Sequence, residues 1–273
     1  MKKLEAVPDI EVNELELKDL DDVIRVHEAH TSGLSASVWR PFSYWMDRVF
    51  RKTFYYSYFY DEASAGLRLA ARMGSKVVGY AIGFLQDRAK RAYWDPGTGA
   101  VLELAALNRD AARALLREIL KRMLSENVKV FRLFLPEDPD IIDVLSTFEK
   151  VTSTIYMDYI LDQNKLFEQL LPELRKRLEV VGGVDRLSVD FSSPYGCTRL
   201  VVAGYDISVE SCRGDEVVEL DRDGIAKLVY GVIDLYTALR EYAMRIAISR
   251  KSLEALQELF PRRRVYVPII DQW

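Results

Sequence analysis

The chain has 273 residues, of which 49% are hydrophobic and 29% are charged, a balance typical of a folded globular protein and not of a disordered one. Its formal net charge of −4 argues against nucleic acid as a partner, because a duplex-binding protein needs a basic face. Two cysteines are too few for a disulfide framework, and no pair of Cys or His residues has zinc-ligand spacing, so no metal site is predicted.

The N-terminal sequence and the cysteines predict where the protein resides. Residues 1–9 lack the apolar core of a secretion signal, and no stretch reaches the ~18 consecutive apolar residues of a membrane span. We therefore expect a cytoplasmic protein with no membrane partner. Low Asn and high Arg, Glu and Tyr contents favour a thermophilic source. Cys197 and Cys212 lie in strand-like stretches, either as two small buried side chains or, in a thermophile, as a cross-strand disulfide.

Hydrophobic spacing divides the first half of the chain into strands and helices. One helix is predicted from Asp19 to Ser32, and a second opens at Pro41, whose missing N–H suits the first helical position. Asn108 is a good N-cap for a further helix. The remaining predicted elements are a strand over 10–17, hairpin strands over 67–73 and 76–85, a buried strand over 100–107, a strand over 128–135, a helix over 139–149 and a strand over 152–161.

The second half follows a different order, with one helix, four short strands and then two helices around a further strand. This order is typical of an α+β domain. The predicted elements are a helix over 165–180, strands over 184–191, 199–202, 205–211 and 216–220, a helix over 223–235, a strand over 243–248 and a helix over 252–260. No linker rich in Gly or Ser separates the halves, so we predict two packed domains, 1–161 and 162–273, with the C-terminal tail returning to the first domain.

The order of elements in the first half resembles the GNAT acetyltransferase family. In that family the helix after the fourth strand holds the CoA pyrophosphate at a turn with the pattern Arg/Gln-x-x-Gly-x-Gly/Ala. The matching segment here begins at Arg109 and ends at Ala114, with Ala112 in place of the middle glycine and Asp110 in the first helical turn. A carboxylate at that position opposes a phosphate. The resemblance therefore implies a mixed central sheet with flanking helices, and weakened or lost CoA binding.

Six collinear segments, 38–45, 78–81, 102–116, 156–162, 221–231 and 253–273, resemble the "enhanced intracellular survival" (Eis) aminoglycoside acetyltransferase family. The first half is similar to that family's second acetyltransferase-like domain, which does not bind CoA. The second half is similar to its sterol-carrier-protein-like domain, an α+β fold. The resemblance implies that the family's first, catalytic domain is absent from this chain.

For an enzyme, the resemblance implies transfer of an acetyl group from acetyl-CoA to a primary amine. In the Eis family the terminal carboxylate is the general base, which makes Trp273 a catalytic candidate, although its segment is equally a terminal strand that only joins the domains. Glu103 lies on the strand that presents a base in acetyltransferases, and a backbone N–H near Ala106 would hold the thioester oxyanion. The candidate CoA-binding residues are Ala106, Leu107, Arg109, Ala112, Arg113 and Ala114.

The alternative function is a non-catalytic scaffold, or a protein that binds a lipid or another small ligand through the sterol-carrier-like domain. Its ligand would be apolar, whereas the enzyme would take a small amine. The aromatic run 54–60 is interpreted as an edge strand or an interdomain surface, with the lining of an acceptor pocket as the alternative. Such aromatic surface also points to a homo-oligomer. His27 and His30 are interpreted as ordinary surface residues of the first helix.

Overall fold

The structure is a computed structural model that describes residue 7 and residues 9–34, 39–50, 66–84, 98–135 and 160–265. The described residues fall into two compact units, one that extends to Leu135 and one that runs from Ile160 to Arg264. Each unit is built on its own five-stranded mixed sheet. Among the described residues, no helix combines the length and the apolar composition required to cross a membrane.

The first unit contains a sheet in which the strands follow chain order. The sheet runs β1-β2-β3-β4-β5, with antiparallel neighbours except for the parallel pair β4 and β5. The helix α1 precedes β2, and α3 connects β4 to β5. The elements are β1 (Glu11–Glu14), α1 (Leu20–Thr31), α2 (Phe42–Tyr44), β2 (Gly66–Met73), β3 (Lys76–Phe84), β4 (Thr98–Ala106), α3 (Arg109–Ser125) and β5 (Val130–Leu133).

Both faces of this sheet are covered. One face packs on the apolar side of α1 and on Trp45, which is fully buried. The other face packs on the apolar stripe of α3, which includes Leu115 and Ile119. A sheet with two buried faces gives nearly continuous apolar strands, and β3 is accordingly buried from Gly79 to Phe84.

The second predicted helix differs from the expectation. Pro41 is the N-cap of a single α-helical turn, Phe42–Tyr44, and the chain then widens into a π-helix over Trp45–Phe50. The sequence spacing puts Phe42, Trp45 and Val49 on one apolar stripe of a regular helix. Trp45 and Val49 are indeed buried, but Phe42 is 61% exposed, since the π-helix that follows changes which residues face the sheet. A period of 3.6 residues cannot anticipate that change.

The second unit has the sheet order β10-β9-β6-β7-β8, in which β6 and β9 are parallel and the other pairs antiparallel. Its core lies between one face of the sheet and the helices, around the contacting rings of Phe167, Phe191 and Phe260. The elements are α4 (Gln163–Val180), β6 (Val184–Ser193), β7 (Gly196–Gly204), β8 (Asp206–Glu210), β9 (Val217–Leu220), α5 (Arg222–Val229), α6 (Leu235–Glu241), β10 (Ala243–Ala247) and α7 (Arg250–Leu259).

The helix predicted over 223–235 is confirmed only in its first half, because α5 stops at Val229 and a second helix, α6, begins at Leu235. The first ends at Val229, and Gly231 follows with φ of 70°, a left-handed conformation that favours glycine. A Cβ at Gly231 would also come 3.0 Å from that of Arg263. Asp234 then caps the next helix by accepting a hydrogen bond from the N–H of Thr237.

The two cysteines form a disulfide, which resolves the alternatives left open by the sequence. Cys197 lies on β7, and Cys212 lies in the loop after β8. That loop covers the buried carboxylate of Asp190, which accepts hydrogen bonds from the N–H groups of Arg213 and Gly214. The disulfide therefore ties this loop to the sheet.

Candidate functional site

A β-bulge in β4 determines which side chains reach the candidate site. Ile82 pairs with Glu103 and Gly83 pairs with Val101, so Leu102 has no partner on β3. Because one residue is extra, Leu102 and Glu103 both face α1, whereas successive residues of a regular strand face opposite sides. The bulge thus brings a carboxylate into an otherwise apolar face.

Gly83 is required for this bulge. A Cβ built at Gly83 would lie 2.1 Å from the carbonyl oxygen of Ala100 on β4, a distance that real Cβ contacts do not show. The strand β3 therefore approaches β4 more closely here than any residue with a side chain would permit. Gly83 is needed because of this close approach between strands, and not because its backbone adopts a turn conformation.

The end of β4 that follows the bulge has no partner on β5. The parallel pairing of these strands ends at Val101 and Leu133, with one further hydrogen bond from the N–H of Phe134 to the carbonyl of Val101. Among the described residues, β4 then continues to Ala106 without a neighbour on that side. We call residues 102–106 the free edge of β4.

His30 contacts this free edge. Leu107 donates its N–H to the carbonyl of Val78 on β3. The N–H and C=O groups of successive residues in a strand point to opposite edges. Those of Ala106 therefore point away from β3, to the free edge. The carbonyl of Ala106 lies 3.3 Å from Nδ1 of His30. A carbonyl only accepts hydrogen bonds, so Nδ1 carries the proton and donates it. The imidazole therefore uses a backbone acceptor that a ligand at this edge would otherwise bind.

Glu103 lies at the centre of a buried polar cluster. Its two carboxylate oxygens accept hydrogen bonds from the guanidinium of Arg40, at 2.9 and 2.6 Å, in a bidentate pair. Tyr80 donates its hydroxyl to the same carboxylate, and Nδ1 of His27 lies 3.1 Å from that hydroxyl and 3.5 Å from the carboxylate. His27 is 5% exposed, so its interpretation as an ordinary surface residue is wrong.

Aromatic rings enclose the charged end of Arg40. The guanidinium carbon lies 4.8 Å from the ring centroid of Trp45 and 5.3 Å from that of Tyr44. An arginine is the cation best suited to such a position, because its planar guanidinium stacks on rings while it binds a carboxylate bidentately. Arg40 lies just before Pro41, the N-cap of α2. The ion pair between Arg40 and Glu103 therefore holds the start of α2 against β4.

The electrostatics of this cluster keep Glu103 ionised. Burial alone would raise the pKa of Glu103, but the charge of Arg40 and the hydrogen bonds from His27 and Arg40 outweigh it and hold the pKa well below its ordinary value. A general base needs a pKa near the working pH. The assignment of Glu103 as a catalytic base stays a prediction, and its geometry fits a structural role better.

The start of α3 has the helix cap that the sequence predicts. Asn108 accepts a hydrogen bond from the N–H of Ala111 through its side-chain oxygen, at 2.8 Å. Three N–H groups at such a helix start, here those of Arg109, Asp110 and Ala111, are available to an anion. Asn108 already uses one of them, and the carboxylate of Asp110 stands in the first turn.

The remaining candidate CoA-binding residues divide into buried and exposed groups. Ala112 and Ala114 are both buried, and Ala112 belongs to the apolar cluster between α3 and the sheet. Arg113 is exposed, and Leu107 is 39% exposed. Trp273 and the aromatic run 54–60 lie outside the described residues.

In the second unit, an acidic and sulfur-containing cluster has a structural explanation. A carboxylate oxygen of Asp190 and the sulfurs of Cys197 and Cys212 lie within 4.8 Å of one another. The sulfurs are bonded to each other, so neither is a thiolate that could bind a metal. The carboxylate instead accepts a hydrogen bond from Nε of Arg199 at 2.6 Å, and both of these side chains are buried.

Solved structures similar to this chain are N-acetyltransferases. A GCN5-related N-acetyltransferase from Kribbella flavida has a TM-score of 0.60 and 17% identity, over 97% of this chain and 61% of its own. Eis1 from Mycobacterium abscessus has a TM-score of 0.55 and 16% identity, over 96% and 62%. A GCN5-related N-acetyltransferase from Anabaena variabilis has a TM-score of 0.57 and 13% identity, over 97% and 64%.

The chain has the fold of these N-acetyltransferases. The similarity covers nearly the whole chain, which spans less than two thirds of the length of each of the three structures. No model of a known protein family matches the sequence, and no curated protein matches it either. Identities of 13–17% show a shared fold and nothing further. The α+β character and the mixed sheets of this chain agree with that fold.

Proposed function

We propose that this chain is a non-catalytic scaffold or small-ligand-binding protein built on the N-acetyltransferase fold. In its first unit, the chain's own side chains fill the acyl-donor site. In this respect it resembles the CoA-free domain of the Eis family. The observation that carries the proposal is the start of α3, where Asn108 uses the N–H of Ala111 and the carboxylate of Asp110 occupies the first turn.

The magnitude of the electrostatic opposition follows from Coulomb's law. Two unit negative charges about 5 Å apart repel by about 1 kcal/mol in water and about 3 kcal/mol at the effective dielectric of a protein surface. Since about 1.4 kcal/mol is a factor of ten in affinity, Asp110 would weaken the binding of a diphosphate by roughly five- to more than a hundredfold.

Two further contacts support a filled donor site. The ring of His30 donates to the carbonyl of Ala106 on the free edge of β4, where the pantetheine arm of a donor would need the same acceptor. Glu103 is the carboxylate that the bulge presents, and Arg40 binds both of its oxygens. Backbone and side-chain groups that a donor and an amine would use are thus engaged within the protein.

Isothermal titration calorimetry with acetyl-CoA and with CoA tests the proposal. We expect no heat of binding to the wild-type chain at millimolar ligand. An Asp110→Asn variant should gain binding if the charge is the main obstacle. The matched control is Asp223→Asn, which neutralises a first-turn carboxylate of α5 in the second unit. Micromolar affinity of the wild-type chain for acetyl-CoA would refute the proposal.

The second candidate function is acetyl transfer to a primary amine, which the free edge of β4 favours. In that reaction the amine nitrogen attacks the thioester carbonyl carbon, a C–N bond forms, and the C–S bond breaks. The amine proton passes to a base, for which Trp273 and Glu103 are the predicted groups, and the thiolate leaves. The N–H of Ala106, which points to the free edge, is suited to hold the oxyanion. Release of thiol from acetyl-CoA in the presence of a panel of primary amines would support this candidate.

A further inference from the structure

Four basic residues follow one exposed face of α3. Arg109, Arg113, Arg117 and Lys121 are exposed and recur every fourth residue. With a rise of 1.5 Å per residue, the face is about 18 Å long. We call it the basic face of α3. It stands out in a chain whose formal net charge is −4.

None of the four cations of this face has an acid four residues away in the sequence, although Lys121 lies 3.7 Å from Glu118, three residues away. Acids four residues away pair with Arg177 on α4, Lys227 on α5 and Arg250 on α7. On the basic face each cation instead has another cation four residues away, an arrangement that destabilises a helix by about 0.2–0.5 kcal/mol per pair. Within the part of the chain that the structure describes, Arg113 and Arg117 form no ion pair or hydrogen bond.

A CoA molecule does not account for the whole face. Its diphosphate would lie at the start of α3, whereas Arg117 and Lys121 lie two and three turns further, about 12 and 18 Å along the axis. The anions of a matching ligand must therefore be spread over a similar length. Acidic side chains that recur every fourth residue on a helix meet this requirement.

The surroundings of the face distinguish a protein from a membrane or a nucleic acid. The apolar stripe of α3 is buried against its own sheet, so α3 has no apolar face to insert into a lipid surface. The formal net charge of −4 opposes a long phosphate backbone, which would extend past the basic face, more than it opposes one short helix. Leu124, 61% exposed, lies one turn beyond Lys121 and offers an apolar contact of the kind found at protein interfaces.

We propose that the basic face of α3 is a docking surface for an acidic helix of a partner protein. Arg109 and Arg113 are also candidate CoA-binding residues, but Arg117 and Lys121 lie beyond the donor site along α3, so failure of CoA binding and failure of peptide docking are distinguishable by their two separate titrations. The contact is small and electrostatic, so it should be weak, fast to form and sensitive to salt.

Fluorescence anisotropy with a labelled helical peptide that carries glutamate at every fourth position tests the proposal. We expect the peptide to bind the wild-type chain and to dissociate as salt is raised. The double variant Arg113→Glu, Arg117→Glu should weaken binding by at least about tenfold, because each reversal removes an attraction and adds a repulsion. The control Lys165→Glu, Lys176→Glu makes the same change of net charge on exposed residues of α4 and should bind like the wild type.

Thermal unfolding separates loss of docking from loss of folding. The Arg113→Glu, Arg117→Glu variant places acids between Arg109 and Lys121, so its helix should be at least as stable as that of the wild type. Absence of peptide binding to the wild type, or equal weakening in both double variants, would overturn the proposal. It would also be overturned if an anionic vesicle or an RNA oligonucleotide bound more tightly than the peptide in a manner that depended on Arg113 and Arg117.

Discussion

Removal of either partner of the Arg40–Glu103 ion pair should strongly destabilise the first unit. Loss of Arg40 takes the counter-charge from the buried carboxylate of Glu103, and loss of Glu103 takes from the guanidinium the carboxylate that it binds bidentately. Arg40 is 5% exposed and Glu103 is 2% exposed, so neither would reach water without a local rearrangement. Breaking a buried ion pair from one side typically costs 3–5 kcal/mol. We expect Glu103→Gln and Arg40→Met each to lower the free energy of unfolding by about that amount.

The double variant should be less destabilised than the sum of the single variants. In the Arg40→Met, Glu103→Gln chain no charge is left without its partner, and the glutamine still accepts a hydrogen bond from Tyr80. We expect a coupling energy of at least about 2 kcal/mol between the two positions, above the usual range for residues that do not touch. Additive losses would show that the pair does not act as a unit.

Urea unfolding of the four chains of this cycle, followed by far-ultraviolet circular dichroism, measures both quantities. The m-value serves as the control, because an unchanged m-value shows that the same surface is exposed on unfolding. Single variants that lost less than about 1 kcal/mol would refute the argument that the pair is buried and unrelieved by water.

The same carboxylate predicts a pH dependence. The pKa of Glu103 in the folded chain lies below its ordinary value of 4.5, so the unfolded chain binds its proton more readily than the folded chain. The stabilisation from Glu103 is therefore fully present above that ordinary value and is lost as the pH falls below it towards the folded pKa. The acid-induced loss of stability should be shallower in Glu103→Gln than in the wild type.

Reduction of the disulfide and two further substitutions test the local geometry. Reduction of the Cys197–Cys212 bridge, which closes a loop of 15 residues, should lower the free energy of unfolding by about 3 kcal/mol. Unfolding with and without reductant measures this difference. A Cys197→Ser, Cys212→Ser chain is the control and should not respond to reductant. Gly83→Ala should abolish the bulge or prevent folding, because its Cβ would overlap the carbonyl of Ala100; a wild-type melting temperature would contradict the close approach. Asn108→Ala should cost about 1 kcal/mol through loss of the helix cap, whereas Asn13→Ala, the same change at an exposed position of β1, serves as the control.

Local signals in the sequence predicted most elements of both units. The strands predicted over 67–73 and 76–85 appear as Gly66–Met73 and Lys76–Phe84, and the helix predicted over 165–180 appears as Gln163–Val180. These predictions depend on period and on capping, which act over a few residues. The Asn108 cap is confirmed for the same reason, since a side chain and an N–H three residues away satisfy each other locally.

The candidate site could not be predicted in the same way because its contacts join distant residues. Arg40 and Glu103 are separated by 63 positions, and the contact from His30 to Ala106 spans 76. The bulge at Leu102 leaves little mark on hydrophobic spacing, because apart from Glu103 the residues of 100–106 are apolar on either register. The one available signal was a charged residue, Glu103, inside an apolar strand, which requires a partner when buried.

The bulge in β4 bears on the choice between the two candidate functions. In a regular strand Glu103 would lie on the opposite face from Leu102, among the apolar side chains that pack on α3. The bulge turns it towards α1, where Arg40, Tyr80 and His27 satisfy its oxygens. The bulge is thus necessary for the folded chain even when no ligand binds. Retention of this feature is therefore weak support for acetyl transfer, and the start of α3 and the free edge of β4 are better places to decide between the two functions.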